Sequence, residues 1–201
     1  MKKVKRDELL DLGAYEQIRP HFRAAMIEQK KRRRFQPTDE LSIVFENHDS
    51  VLLQIQEMLR TERITREDAI RHELDTYNEL VPGPGELSAT LFVEIADRDT
   101  RDRRLVELAG LEGTFALDVD GEIVPARNET RGVLSDRTTA VHYLKFPVGA
   151  SAAARIRANV NAGAPGALTL LVRHPKLDAR APFPAPVVAA IAEDLAVDDA
   201  A

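Results

Sequence analysis

DELSIVFENHDSVLLQIQEMLRTERITREDAIRHELDTYNELV, from Asp39 to Val81, is the stretch whose reading decides the fold. On a wheel of 3.6 residues per turn, Phe45, His48, Leu52, Ile55 and Leu59 fall within about 40° of Leu41, which predicts an amphipathic helix. Thr38 or Asp39 offers an oxygen to cap its first turn. His48 stands in the middle of this apolar stripe, and Glu46 and Glu57 lie on the opposite face. A second helix is expected from Thr65, where Thr65-Arg66-Glu67-Asp68 approximates a capping box. Ile70, Leu74, Tyr77, Leu80 and Val81 form its stripe, with Glu73 inside it. Only Thr61 to Ile64 separate the two helices, so an antiparallel αα-hairpin is expected.

The ionisable residues on these stripes are the first candidates for a site. A carboxylate taken out of water is costly unless it is paired, and His48, Tyr77 and nearby arginines are the available partners. One reading makes the cluster a structural device that fixes helix register. The other makes Glu73, His48 and Tyr77 an acid–base site reached by a substrate.

Upstream, Lys2 to Arg34 is expected to be mostly helical, with a short first turn ended by Gly13. Tyr15, Ile18, Phe22, Ala25 and Met26 then recur at helical spacing, and Pro20 either starts or kinks that helix. The run Lys30-Lys31-Arg32-Arg33-Arg34 closes the segment. It has two readings: a contact for phosphate or another anion, or a cationic helix C-terminus favoured by the macrodipole. Few stacking aromatics accompany it, and nucleic acid is not the expected partner.

Downstream, Pro82-Gly83-Pro84-Gly85 breaks the helical pattern. It divides a helical N-terminal region, 1–82, from a β-rich remainder, 86–201. Leu87 to Ile95 alternates as a strand, and Asp97 to Glu112 returns to helix. Phe115 to Val119, Asp120-Gly121 and Glu122 to Ala126 make a hairpin signature. Asp118, Asp120 and Glu122 lack the spacing of a calcium loop and read as a solvated hairpin tip. Asn128 to Arg137 is expected as a loop. Thr138 to Val148 is expected as a strand that puts His142 on the core side and Tyr143 on the other. Ser151 to Asn161 follows as a helix with Gly163 as its C-cap. Then come a short strand at Leu168 to Val172, a proline-dense linker at Pro182 to Pro186, a last helix carrying Val187, Val188, Ile191 and Leu195, and an acidic tail. The fold expected is α+β: a helical N-terminal region with a central αα-hairpin, packed on a mostly antiparallel sheet with additional helices.

Composition bounds the function. The 201 residues are 44% hydrophobic and 30% charged, with a net charge of −5, which is ordinary for a globular chain and argues against general nucleic-acid affinity. No cysteine is present, so disulfides, thiolate metal sites and a cysteine nucleophile are excluded from this chain. No apolar run is long enough to span a bilayer, and the basic start lacks a signal-type apolar core. A cytoplasmic location is expected. Glycine-rich phosphate loops, a Gly-x-Ser-x-Gly elbow and His-Glu-x-x-His are all missing. The paired Glu-x-x-His pattern of dimetal bundles is missing as well.

Several stretches resemble a bacterial family of conserved proteins of unknown function, similar in length to this chain. They are Phe45-Glu46-Asn47, Gln54 to Arg60, Glu73 to Asn78, Leu87 to Leu91 and Val141-His142-Tyr143-Leu144. Members of that family are often encoded beside rubrerythrin-like proteins and iron–sulfur oxidoreductases, which implies a role near peroxide or iron redox chemistry. The resemblance brings no catalytic residues with it. It draws attention to Glu46, Gln56, Glu57 and Arg60 as residues of a polar interface between the helices and the sheet, with His142 and Tyr143 as wall residues.

Two functions follow as expectations. The first is an accessory or binding protein for a rubrerythrin-like or iron–sulfur partner. The second is a metal- or haem-dependent redox enzyme using Glu46, His48, Glu57, Glu73 or His142. Neither cofactor nor metal is specified by the residues.

Overall fold

Leu41–Phe45 is a strand, β2, and not the opening turns of a helix. It pairs with β1 (Arg34–Thr38) as a hairpin. All five of its residues are buried, and Ile43, Val44 and Phe45 are strand formers. An apolar run covered on both faces fits helical and strand spacing equally well over so few residues. Residues 1–128, 135–162 and 168–197 are described by the computed structural model. Positions 129–134 of the expected loop, the Gly163 cap and the acidic tail lie outside them.

Helix α1 (Leu12–Lys31) runs through both Gly13 and Pro20 and is capped by Asp11, whose carboxylate accepts from the Ala14 N–H. α2 (His48–Thr61) starts later than its apolar spacing implies. Asn47 is its cap, and Asn47 and Ser50 each bond the other's backbone N–H through their side chains. α3 (Glu67–Asn78) follows a short connection, and α2 packs on both α1 and α3. The central αα-hairpin is therefore present. However, β1 and β2, which precede it, belong to a sheet with strands from beyond residue 86.

The remaining elements are β3 (Leu87–Val93), α4 (Arg98–Glu107), β4 (Phe115–Val119), β5 (Glu122–Pro125), β6 (Arg127–Asn128) and β7 (Val141–Phe146). After them come α5 (Gly149–Asn161), β8 (Leu168–His174), β9 (Leu177–Pro182) and α6 (Ala185–Val197). One sheet has the order β1-β2-β3-β7-β6 and the other β5-β4-β8-β9, with every pairing antiparallel. At the β4–β5 turn, Asp120 and Gly121 both have positive φ, as a type I′ turn requires. Asp118 is not part of a solvated tip: it is buried, accepts from the Gly121 N–H and pairs with Arg180. β9 is a strand that the sequence reading did not anticipate, ending where the linker from Pro182 was expected to begin. Leu177, Ala179 and Ala181 face the core in alternation with Asp178 and Arg180.

The first sheet has two unlike faces. Leu87, Ala89, Leu91 and Val93 of β3 align with Leu41, Ile43 and Phe45 of β2 and with Leu144 and Phe146 of β7. These join inward residues of the second sheet, α5 and α6 in one apolar cluster. The opposite face carries Ser42, Ser88 and Thr90, all buried but polar. A separate apolar cluster lies in the helical layer, built from Val51, Ile55, Leu59, Ile70 and Leu74 with Val4 and Leu9.

The Pro-Gly-Pro-Gly segment provides one test of the fold. Gly85 has φ +62, and a Cβ there would lie 3.3 Å from the Cα of Gly149. The Gly149 N–H donates to the Gly85 carbonyl at 2.8 Å, so the two backbones are held at that distance. Gly85→Ala is expected to lower unfolding stability by about 1–3 kcal/mol, measured by urea titration. A change near zero would mean that the close approach is not maintained in solution.

Candidate functional site

Glu46 occupies the junction of β2 and α2 and is 4% exposed. Its Oε1 accepts from Thr90 Oγ1 of β3 at 2.6 Å. Its Oε2 accepts from Ser50 Oγ at 2.5 Å and Gln54 Nε2 at 3.0 Å, both on α2. The Glu46 N–H donates to the Ser88 carbonyl at 2.8 Å. All three side-chain donors are neutral, and the positive end of the α2 dipole lies beside the carboxylate. Glu46 thus joins α2 to the sheet, with Ser50, Gln54 and Thr90 as its partners.

Glu57 faces α1 and not the sheet. Arg19 grips it with two bonds, at 2.8 and 2.9 Å, and Tyr15 Oη donates to it at 2.7 Å. The Arg19 hydrogen bonds outweigh burial and, helped by Tyr15, hold the carboxyl down at about 2. Burial first, and then Glu57, pushes the Tyr15 phenol up. Because the folded pKa lies below the unfolded value near 4.5, the stability from Glu57 is complete above that value. It is lost as pH falls toward about 2. Glu57→Gln is expected to remove this part of the acid dependence, measured as a flatter fall of urea midpoint with pH. An unchanged slope would assign the acid loss to other carboxylates.

His48 sits in the first turn of α2, half-buried, and not in the middle of an apolar stripe. Its Nε2 lies 3.0 Å from Glu8 and its Nδ1 3.1 Å from Asp49. Burial pushes the Asp49 carboxyl up, but hydrogen bonds from His48 and Gln29 overcome this and hold it below the usual range. Glu73 is half-buried beside the stripe of α3, whose buried members are Ile70, Leu74 and Asn78. The Tyr77 phenol is pushed up by burial, then by the charge of Glu73 and the presence of Tyr143. Glu73 and Tyr143 thus both act on Tyr77, and His48 has different partners.

His142 projects from β7 into the core between the sheets, level with Leu91, while Tyr143 projects to the other side and is 42% exposed. The two do not share a wall. His142 Nε2 lies 3.1 Å from Thr138 Oγ1, which donates to Glu112 at 3.0 Å. Burial pushes the imidazole down, with Glu112 offsetting part of the effect. Glu57 and His142 lie in different layers and share no contact partner among the bonds described.

The basic run is largely matched by internal acids. Lys31 pairs with Glu28, Arg32 with Glu193, and Arg34 with Glu94. Arg33 is buried and pairs with Asp194 of α6, one of the two contacts being 2.9 Å long. Lys30 is half-buried at the end of α1. A free cationic patch is not what these residues form. Glu28 is one helical turn from Lys31, but Glu94, Glu193 and Asp194 are far from the run in sequence, so no local spacing betrays those pairings. Among the described residues, no three His, Asp or Glu side chains gather as a group able to hold a metal ion. No described helix is long and apolar enough to cross a membrane.

A family model for a protein of unknown function, DUF3501, matches residues 3–195. The chain belongs to the DUF3501 family. A solved relative is a protein of unknown function from Burkholderia pseudomallei K96243. It is 35% identical, with a TM-score of 0.87, over 96% of this chain and 100% of that one. No curated protein matches. For this DUF3501 chain, the α+β architecture and its two antiparallel sheets are therefore shared with a relative of known structure.

Proposed function

We propose that this chain is a cytoplasmic accessory protein that docks on a redox partner, a rubrerythrin-like or iron–sulfur protein. The observation that supports docking is the surface of α1. Of its twenty residues only Tyr15 and Met26 are buried. Ile18 is 44% exposed, and Phe22 and Ala25 follow it along one flank. Apolar side chains grouped on a surface in this way mark contact faces. The internal pairing of Glu46, Glu57 and His142 supports the same reading, since these groups are already used to hold elements together. The redox identity of the partner rests on the gene neighbourhood that the family resemblance implies.

The test is capture by the tagged full chain from extract of its source organism, with bound proteins identified by mass spectrometry. Wild type is expected to retain a rubrerythrin-like or iron–sulfur protein. Ile18→Asp is expected to reduce that retention by about tenfold or more, as loss of a hot-spot side chain does. Val106→Asp, at a different exposed apolar position, is the control expected to leave it unchanged. Equal retention by Ile18→Asp would remove α1 from the account, and absence of both protein classes would remove the redox partner.

A further inference from the structure

Glu73 and Tyr77 stand one turn apart on α3, a spacing that puts both side chains on one flank of the helix. Both are half-buried. On β7, exposure alternates with sequence: Val141, Tyr143 and Lys145 project to one face, His142, Leu144 and Phe146 to the other. Lys145 ties that outward row to α3, donating to the Val81 carbonyl just past the end of the helix at 3.1 Å. Tyr143, next along the row, is 42% exposed and acts on the Tyr77 phenol, as Glu73 does. Val141, 38% exposed, continues the row. A carboxylate and a phenol on the helix flank thus face a second phenol on the strand.

This carboxylate lacks a cation. Among the described residues, no hydrogen bond or salt bridge engages Glu73. Arg71 on the same helix is paired with Glu67, and Lys145 is paired with Glu86. Elsewhere the chain shows how such a set is completed. Glu57 takes a phenol bond from Tyr15 at 2.7 Å and two guanidinium bonds from Arg19 at 2.8 and 2.9 Å. Arg34 lies over the Phe92 ring, 5.8 Å from its centroid. A guanidinium suits both kinds of partner, since its planar fork matches a carboxylate and its face stacks on an aromatic ring.

We propose that Glu73, Tyr77 and Tyr143 form a docking site for an arginine side chain of a partner protein. Glu73 accepts the paired N–H groups of the guanidinium, the tyrosine rings pack against its plane, and Val141 extends the contact to apolar neighbours of that arginine. A lysine ammonium meets Glu73 as a point charge without the fork, and a trimethylated ammonium has no N–H to donate. Nothing in this site depends on α1 or on a redox identity for the partner.

The chain holds three tyrosines and no tryptophan, and the third tyrosine, Tyr15, is fully buried. Tyrosine-ring NMR signals of the full chain therefore report on the site, with Tyr15 as an internal control. The probe is N-acetyl-arginine amide, titrated at constant ionic strength. Saturable shifts of the Tyr77 and Tyr143 rings are expected with a Kd on the order of millimolar, as suits one side chain, while Tyr15 stays unmoved. N-acetyl-lysine amide is expected to bind at least about threefold more weakly. Glu73→Gln, at a half-exposed position, is expected to weaken the arginine probe about fivefold or more, with the Tyr15 signal showing that the fold is kept. Absence of saturable shifts up to about 100 mM probe would overturn the site. Equal response to the lysine probe, tighter binding of its trimethylated form, or indifference to Glu73→Gln would overturn the guanidinium assignment. Free arginine is expected to bind no better than the capped probe, and tighter binding of the free amino acid would overturn a protein as the source.

Discussion

Asp194→Ala is expected to destabilise the chain by about 3–5 kcal/mol, the largest effect of any single substitution considered. The reason is what it leaves behind. Arg33 is 5% exposed, and Asp194 is its only carboxylate partner at salt-bridge distance among the described residues. Its Nε already lacks a hydrogen-bond partner. Removing the carboxylate strands a guanidinium in the interior between the end of α1 and α6. Burial pushes the Asp194 carboxyl up despite the hydrogen bonds and charge of Arg33. The pair joined to apolar surroundings is therefore expected to be nearly neutral to replace as a unit: Arg33→Met with Asp194→Leu should recover most of the loss. Urea unfolding of the two single variants and the double variant gives the coupling directly. A single-variant cost under about 1 kcal/mol, typical of surface positions or mild core changes, would mean that the pair is solvated.

Glu46→Ala is expected to cost about 2–4 kcal/mol, because it removes the common acceptor of three donors. Ser50 retains the Asn47 carbonyl as a second acceptor at 3.0 Å, so its loss is partial. Thr90 and Gln54 have no such alternative among the bonds described. Glu46→Gln keeps one acceptor oxygen but turns an NH₂ toward a hydroxyl or amide donor, and about 1–2 kcal/mol is expected. The readout that distinguishes an interface role from a local one is hydrogen exchange. Protection should fall in α2 and in β3 together, since Glu46 bonds to both. A cost within about 0.5 kcal/mol for the alanine variant would place Glu46 on a solvated face instead.

The architecture was legible in part because the breaker at residues 82–85, the Asp120-Gly121 turn and the alternation of β3 and β7 are local signals. The β1–β2 hairpin was not legible from Leu41 to Phe45 alone. Its two apolar faces repeat at spacings that satisfy a helical stripe, and only the Asn47–Ser50 capping pair marks where the helix begins. That shift of start point moved His48 from an apolar stripe to a first turn and rotated the faces that follow. β9 was missed because its core residues are Leu177 and two alanines, too weak an apolar alternation beside the prolines. The candidate residues fared according to the range of their partners. Glu46 meets Ser50 and Gln54 one and two turns away, so a polar cluster there could be anticipated. Glu57 meets Tyr15 and Arg19, and Arg33 meets Asp194, across separations that no local spacing encodes. His142 fell on the core side of β7 as alternation required, yet that same alternation keeps it away from Tyr143 and the helical layer.

The measurement that bears most directly on the accessory-protein reading is elemental analysis with an absorbance spectrum, on full chain purified anaerobically without chelator. The account predicts no stoichiometric iron, manganese or zinc and no haem band, and a chain whose activity is exercised through its partner. Stoichiometric metal or a chromophore, lost on Glu46→Gln or His142→Ala in protein that keeps its fold, would contradict it and make these residues ligands of a redox centre.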